Sequence, residues 1–157
     1  MLATATATVF QRETLAQVWA EALPLLAEQA RELAPYPDIA FNPDRVAYEQ
    51  AEQAGMLRIF TVRVDGVLAG YAVFFIRTNP HYCDSLQAVQ DVLWLAPAYR
   101  RGGLGLQLIA SCDTALKAEG VQVVLHHAKL KSPALGQVLL KLGYEPIDTI
   151  YTKRLDR

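Results

Sequence analysis

Between Pro97 and Gly105 the chain reads Pro-Ala-Tyr-Arg-Arg-Gly-Gly-Leu-Gly, and an amphipathic pattern follows directly. Three glycines in four residues let a backbone turn tightly and come close to a ligand. The first amides of a helix have no intrahelical partner, and the helix dipole adds positive potential at that end. Together they form a site for a phosphate or pyrophosphate. Arg100 and Arg101 add local positive charge. An ordinary strand-to-helix turn would also use glycines, so composition alone leaves that reading open beside phosphate binding. Two other phosphate loops do not fit. A nucleotide-triphosphate loop needs Gly-Lys-Ser/Thr, and Gly105 is followed by Leu106. A dinucleotide fingerprint needs a third small residue where Leu108 stands, and an acid near the end of the next strand, where His126 and His127 stand.

The surrounding pattern says what must hold this loop. Thr14 precedes a helical stretch from Leu15 to Leu33, which Pro24 would kink or divide. A Pro/aromatic segment from Ala34 to Pro43 is irregular. Asp44 caps a second helix, Arg45 to Ala54, ended by Gly55. Leu57 to Val64 and Val67 to Ile76 form a hairpin about Asp65-Gly66. Thr78 to Asp84 reads as a loop, and Leu86 to Leu95 as a strand stopped by Pro97. Leu104 to Glu119 is a helix with Leu104, Leu108, Cys112 and Leu116 on one stripe. Val121 to Ala128 is a buried strand. Ser132 caps and Pro133 starts a short helix that Gly143 ends, and Ile147 to Leu155 is a last strand. The alternating start, Ala3 to Phe10, reads as a strand or a frayed end. This order predicts an α/β (α+β) fold with a mixed, mostly antiparallel central sheet flanked by helices and at least one right-handed crossover.

Arg100-x-x-Gly103-x-Gly105 after a proline-ended strand resembles the acetyl-CoA loop of the GNAT acyl-CoA N-acyltransferase superfamily, whose signature is Gln/Arg-x-x-Gly-x-Gly/Ala. Leu93 to Arg100 is similar to the segment before that loop, and Leu140-Lys141-Leu142-Gly143-Tyr144 resembles the family's helix end. The element order from Leu15 onward matches as well. The resemblance implies a single N-acetyltransferase domain over 1–157, with acetyl-CoA as cofactor, coenzyme A as product and no metal. It implies that amides of Arg101, Gly102, Gly103, Leu104, Gly105 and Leu106 hold the pyrophosphate. Leu93, Trp94 and Leu95 would pair their backbone with the pantetheine arm, and one of their amides would meet the thioester oxygen, which gains negative charge as an amine attacks. A non-catalytic acyl-CoA binder or sensor of the same fold, and a mere interaction scaffold, are the competing classes. The intact glycine loop argues against the scaffold.

An attacking amine must be neutral, so a base or a water chain is required. Asp91 interrupts an apolar strand two positions before Leu93, hence on the same side, where desolvation would raise its pKa. A structural acid paired with an arginine or an amide is the other reading of Asp91. The family's frequent tyrosine in the last helix is missing, since Leu139 stands near its place. Ser132, His126, His127 or water would then protonate the leaving thiolate. Adjacent histidines on a strand face opposite ways, so at most one of them reaches the cleft. Tyr36, Phe41, His81 and Tyr82 lie in the two loops expected to wall the acceptor, a small-molecule or peptide amine. Simple loop packing would use the same residues.

Fifteen basic and sixteen acidic residues give a net charge of −1, with pI about 6.3, which excludes a global nucleic-acid surface. Residues 1–78 carry six basic and nine acidic groups, while residues 79–157 carry nine and seven, and every lysine lies at Lys117 or later. The basic half holds the glycine loop, and the acidic half holds a proposed acceptor loop, which favours a cationic amine. Cys83 and Cys112 make no disulfide framework, and no metal-ligand spacing occurs among the histidines and cysteines. With no membrane span or leader pattern, the expected compartment is the cytoplasm, and a homodimer through the C-terminal strand is left open.

Overall fold

The computed structural model describes residues 6–157. The expected N-terminal strand begins at β1 (Thr8–Glu13), and the alternation before Thr6 lies outside the described residues. Helix α1 (Leu15–Leu33) follows, then α2 (Arg45–Gln53), β2 (Leu57–Val64), β3 (Val67–Asn79), β4 (Tyr82–Leu95), α3 (Leu104–Ala118), β5 (Val123–Leu125) and α4 (Pro133–Lys141). The strands lie in sequence order in one sheet. The first three pairings are antiparallel, and β4–β5 is parallel.

Local chemistry explains most of these elements. At the start of α1 the Thr14 hydroxyl accepts from the Gln17 amide, while the Gln17 side chain accepts from the Thr14 amide. Pro24 does not divide α1 into two helices. The helix runs on to Leu33, because the apolar residues on both sides of the proline pack on one sheet face. Asp44 caps α2 by accepting from the Ala47 amide at 3.0 Å. The β2–β3 turn has positive φ at both Asp65 (49°) and Gly66 (82°), as a two-residue hairpin requires.

Periodicity sorts the core into two layers. Tyr71, Val73 and Trp94 face α1 and pack with Leu15, Val18 and Ala22. Ala72, Phe74, Ile76, Ala88 and Leu95 face α3 and pack with Leu108, Cys112 and Leu116. Gly70 leaves no room for a side chain against β4: a Cβ there would stand 2.6 Å from Leu95 Cδ1 and 2.7 Å from the Trp94 carbonyl oxygen. Gly70→Ala must move backbone, and a urea melt is expected to show a loss of about 1–3 kcal/mol.

The structure departs from the sequence reading in three strands. The expected loop from Thr78 to Asp84 is a continuous hairpin, in which Asn79 closes the Pro80-His81 turn by accepting from the His81 amide at 2.8 Å. The strand expected over Val121–Ala128 shrinks to Val123–Leu125, paired only with Gln87–Val89 of β4. The strand expected over Ile147–Leu155 does not form. That segment is exposed and is tied instead to the α1–α2 connection, where Tyr36 Oη meets Thr152 Oγ1 at 3.1 Å and Arg154 binds Asp38 at 2.9 Å. Among the described residues no helix is long and apolar enough to cross a membrane.

Candidate functional site

Strands β4 and β5 run side by side for three residue pairs, ending at Val89 and Leu125, and then part. Among the described residues no strand lies against this edge of β4 from Gln90 to Leu95, so a notch opens between the two strands. Beyond Leu95 a 3-10 turn at Pro97–Tyr99 and the glycine loop lead to the N-terminus of α3.

The register shows which backbone groups face the notch. The Ala96 amide donates to the Ala69 carbonyl on β3 at 2.9 Å. Antiparallel pairing alternates, so Trp94 also points its amide and carbonyl at β3, while Leu93 and Leu95 point theirs into the notch. Of the three residues expected to pair with a pantetheine arm, Leu93 and Leu95 are therefore placed to do so and Trp94 is not. Its indole is buried, tilted against Tyr71.

The glycine loop presents amides. Gly102 and Gly103 have φ of 86° and 79°, a region other residues rarely adopt, and Gly103 is the N-cap of α3 with no side chain to satisfy the first turn. Nothing lies within 4 Å of where a Cβ on either glycine would stand, so the loop is open to close approach from outside. The amides of Leu104, Gly105 and Leu106, in the first turn of α3, have no partner within the helix, an arrangement that suits an anion such as a pyrophosphate. Gly105, inside the helix, has ordinary space toward Leu95.

The two arginines are used differently. Arg100 is turned away from the loop: its Nε donates to the Leu95 carbonyl at 2.8 Å, its other nitrogens grip both Glu32 oxygens at 2.8 and 2.7 Å, and its guanidinium lies over the Trp94 ring. It braces β4 against α1, and the charge expected to add to the loop is paired with Glu32. Through these bonds Arg100 holds the Glu32 carboxyl below its ordinary range. Arg101 is exposed at the loop.

Asp91 is the extra residue of a bulge in β4, since Val92 pairs with Val73 while Gln90 pairs with Phe74. The bulge breaks the alternation. Gln90 and Leu93 face the α3 layer, whereas Asp91 reaches α2, where the Tyr48 hydroxyl donates to its Oδ2 at 2.5 Å. Asp91 therefore does not share a side with Leu93, and it is exposed rather than desolvated. Tyr48 was not singled out by sequence. Burial, with the Asp91 carboxylate second, pushes its phenol well above the ordinary value, so it stays a donor.

His126 and His127 follow directly on the end of β5 and differ in exposure. His127 is exposed. His126 turns inward where the strands part: its Nδ1 meets Gln90 Oε1 at 2.6 Å, its ring packs edge-on against Phe74 and Tyr144, and its Nε2 is buried without a hydrogen-bond partner. Burial, with His127 second, pushes its pKa down to about 4, so it is neutral near pH 7. Above pH 6.5 this costs nothing. Below 6.5 the unfolded chain binds the proton first, so stability falls by up to about 1.4 kcal/mol per pH unit as pH drops from 6.5 to 4. Urea melts across that range are expected to show this fall, and His126→Gln to remove its histidine share.

The remaining candidates are scattered. Ser132 stands at the N-cap of α4, but its hydroxyl makes no capping bond. Tyr36 is held by Thr152 and lies under the Arg154 guanidinium, and Phe41 is exposed in the same connection. His81, in the turn before β4, and Tyr82, its first residue, are exposed at the far end of the strand, nine or more residues before Asp91 and on the order of 30 Å away along the strand. They are not brought to the notch. Among the described residues no group of three or more His, Cys, Asp or Glu could hold a metal ion.

The profile of the Acetyltransferase (GNAT) family matches residues 19–144, and the chain belongs to that family. Solved structures share the fold. A ribosomal-protein-alanine N-acetyltransferase from Brucella melitensis biovar Abortus 2308 is 19% identical, with a TM-score of 0.73 over 95% of this chain and 99% of that one. A predicted acetyltransferase from Clostridium acetobutylicum, solved with acetyl-CoA, is 12% identical, with a TM-score of 0.71 over 95% and 97%. The aminoglycoside N-acetyltransferase AAC(6')-Iy, solved with CoA, is 21% identical, with a TM-score of 0.69 over 98% and 98%. No curated protein matches the sequence. The five-stranded mixed sheet with helices on both faces is the family fold.

Proposed function

We propose that the chain is one catalytic domain, an acetyl-CoA-dependent N-acetyltransferase acting on a primary amine by direct attack in a ternary complex. One observation carries this reading: the notch between β4 and β5 opens onto the glycine-capped N-terminus of α3. Edge amides of β4 leading to an anion site would suit a long ligand with a phosphate end and an acyl end. Acetyl-CoA supplies an acetyl group already activated as a thioester.

The residues then divide the work. Amides from Arg101 to Leu106 hold the pyrophosphate. The Leu93 and Leu95 amides donate toward the pantetheine and thioester carbonyls and meet charge as it develops on oxygen. Asp91, oriented by Tyr48, binds the acceptor's ammonium on the α2 side of the sheet and takes its proton. The amine nitrogen bonds to the acetyl carbon as the carbon–sulfur bond breaks, and the thiolate takes a proton from water or the exposed His127. His126 is neutral and engaged with Gln90, which suits a structural part. The names of the solved neighbours span a ribosomal-protein-alanine and aminoglycosides, so loops rather than fold set the acceptor. The acidic balance of residues 1–78 supports a cationic amine. Free-thiol release from acetyl-CoA with a panel of polyamines, aminoglycosides and peptide amines is the test. Amine-dependent release is expected. Binding of acetyl-CoA without release by any amine would favour the non-catalytic binder.

A further inference from the structure

The open edge of β4 carries both donors and acceptors by default, because each residue facing the notch offers an N–H and a C=O. Here the notch-facing carbonyls of Leu93 and Leu95 are already taken. Arg100 Nε donates to the Leu95 carbonyl at 2.8 Å, and Gln29 Nε2 donates to the Leu93 carbonyl at 3.3 Å. Both clamps come from one face of α1. Gln29 reaches β4 directly, and Glu32, three residues on, holds Arg100 through both of its carboxylate oxygens. The orientation of the Gln29 amide is fixed at its other end, where the buried Tyr71 hydroxyl donates to Oε1 at 2.9 Å. A carbonyl can only accept, so the amino group must be the end that faces Leu93.

We propose that Gln29 is a positioning residue that helps make the Leu93–Leu95 stretch of the open β4 edge a donor-only surface beside the thioester. The inference rests on the proposed binding of acetyl-CoA in this notch. Gln29 contacts neither acetyl donor nor amine in this account; it acts through the Leu93 peptide. With Gln29 in place, the electronegative Leu93 oxygen is paired and the neighbouring Leu93 and Leu95 amides dominate the local potential. Without it, an unpaired carbonyl oxygen stands beside a carbonyl that must gain negative charge, and the two repel. The penalty grows as charge builds, so it falls on turnover more than on binding. Coenzyme A lacks the thioester carbonyl and is indifferent to the change.

Gln29→Leu removes the donor, and Gln29→Glu replaces it with an acceptor that can donate only when protonated. The test combines three measurements on the full chain: steady-state kinetics, calorimetry with coenzyme A, and infrared spectra of bound acetyl-CoA labelled with 13C at the thioester carbonyl. Both variants are expected to bind coenzyme A within twofold of the parent and to lose kcat about tenfold. Their bound carbonyl stretch should lie closer to that of free acetyl-CoA. The Gln29→Glu deficit should narrow as pH falls and the introduced carboxyl gains its proton. An unchanged carbonyl stretch in both variants, or a parallel loss of coenzyme A affinity and kcat, would overturn the proposal. If the parent binds acetyl-CoA but acetylates no amine, the enzyme reading fails, while the infrared arm still decides the role of Gln29. If the parent does not bind acetyl-CoA, both readings fall.

Discussion

Gly103→Val is expected to lower acetyl-CoA affinity about 100-fold or more, since two or three amide bonds to charged oxygens, each worth about 1.5–3 kcal/mol, depend on the shape of this loop. Gly103 sits at φ 79°, where a β-branched residue is strained by about 1–3 kcal/mol. The chain relieves that strain by rotating the peptide at the α3 N-cap, which re-aims the amides. The side chain would also fill the open approach beside the loop. Nothing in the protein itself lies within 4 Å of that position, so the substitution creates no internal clash and the fold survives a loss of that size. Calorimetry with acetyl-CoA, paired with a urea melt, separates the two effects. Gly136→Ala is the matched control. Gly136 lies inside α4 with free space around it, so alanine should stabilise by about 0.5–1 kcal/mol and leave acetyl-CoA affinity unchanged. Affinity retained in Gly103→Val would mean that the loop does not hold the phosphates.

Asp91→Asn is expected to lower kcat with the best amine about 100-fold or more, the usual range for a lost general base. Asparagine keeps an oxygen that can accept from Tyr48, so the local geometry is preserved while the negative charge is removed. The rise of rate with pH should flatten to the part set by the acceptor amine itself, because the proton-accepting carboxylate is gone. Coenzyme A affinity should not change. Tyr48→Phe, which leaves the carboxylate but removes its hydrogen bond, should show a smaller loss with the pH profile intact. An unchanged profile in Asp91→Asn would make Asp91 a structural acid.

Much of this site could be read from residue types. The Asp-Gly turn, the stripe on α3 and the glycine-rich approach to it are local signals, and local chemistry decides them. Two glycines at positive φ before an apolar helix stand where the loop was read. What could not be read depends on partners distant in sequence. Strict alternation puts Asp91 on the side of Leu93, and the bulge that reverses it exists only once β3 supplies the register. Arg100 reads as local positive charge for the loop, and its pairing with Glu32, 68 residues earlier, leaves no mark in the sequence. Gln29 and Tyr48 carry no motif at all. Their roles come from α1 and α2 packing over the β4 edge. The expected last strand failed for a related reason: Ile147 to Leu155 has the residue types of a strand, but β5 is short and the segment is drawn to Tyr36 and Asp38 instead.

The binding claim at the centre of the proposed function can be tested without knowing the acceptor. In amide-resolved NMR of the 15N-labelled chain titrated with acetyl-CoA, the largest shifts and the slowed exchange are expected at Leu93, Leu95 and the amides from Arg101 to Leu106, with Trp94 protected before and after. Perturbation confined to other parts of the sheet, or none at saturating acetyl-CoA, would contradict the assignment of the notch and the glycine loop as the acetyl-CoA site.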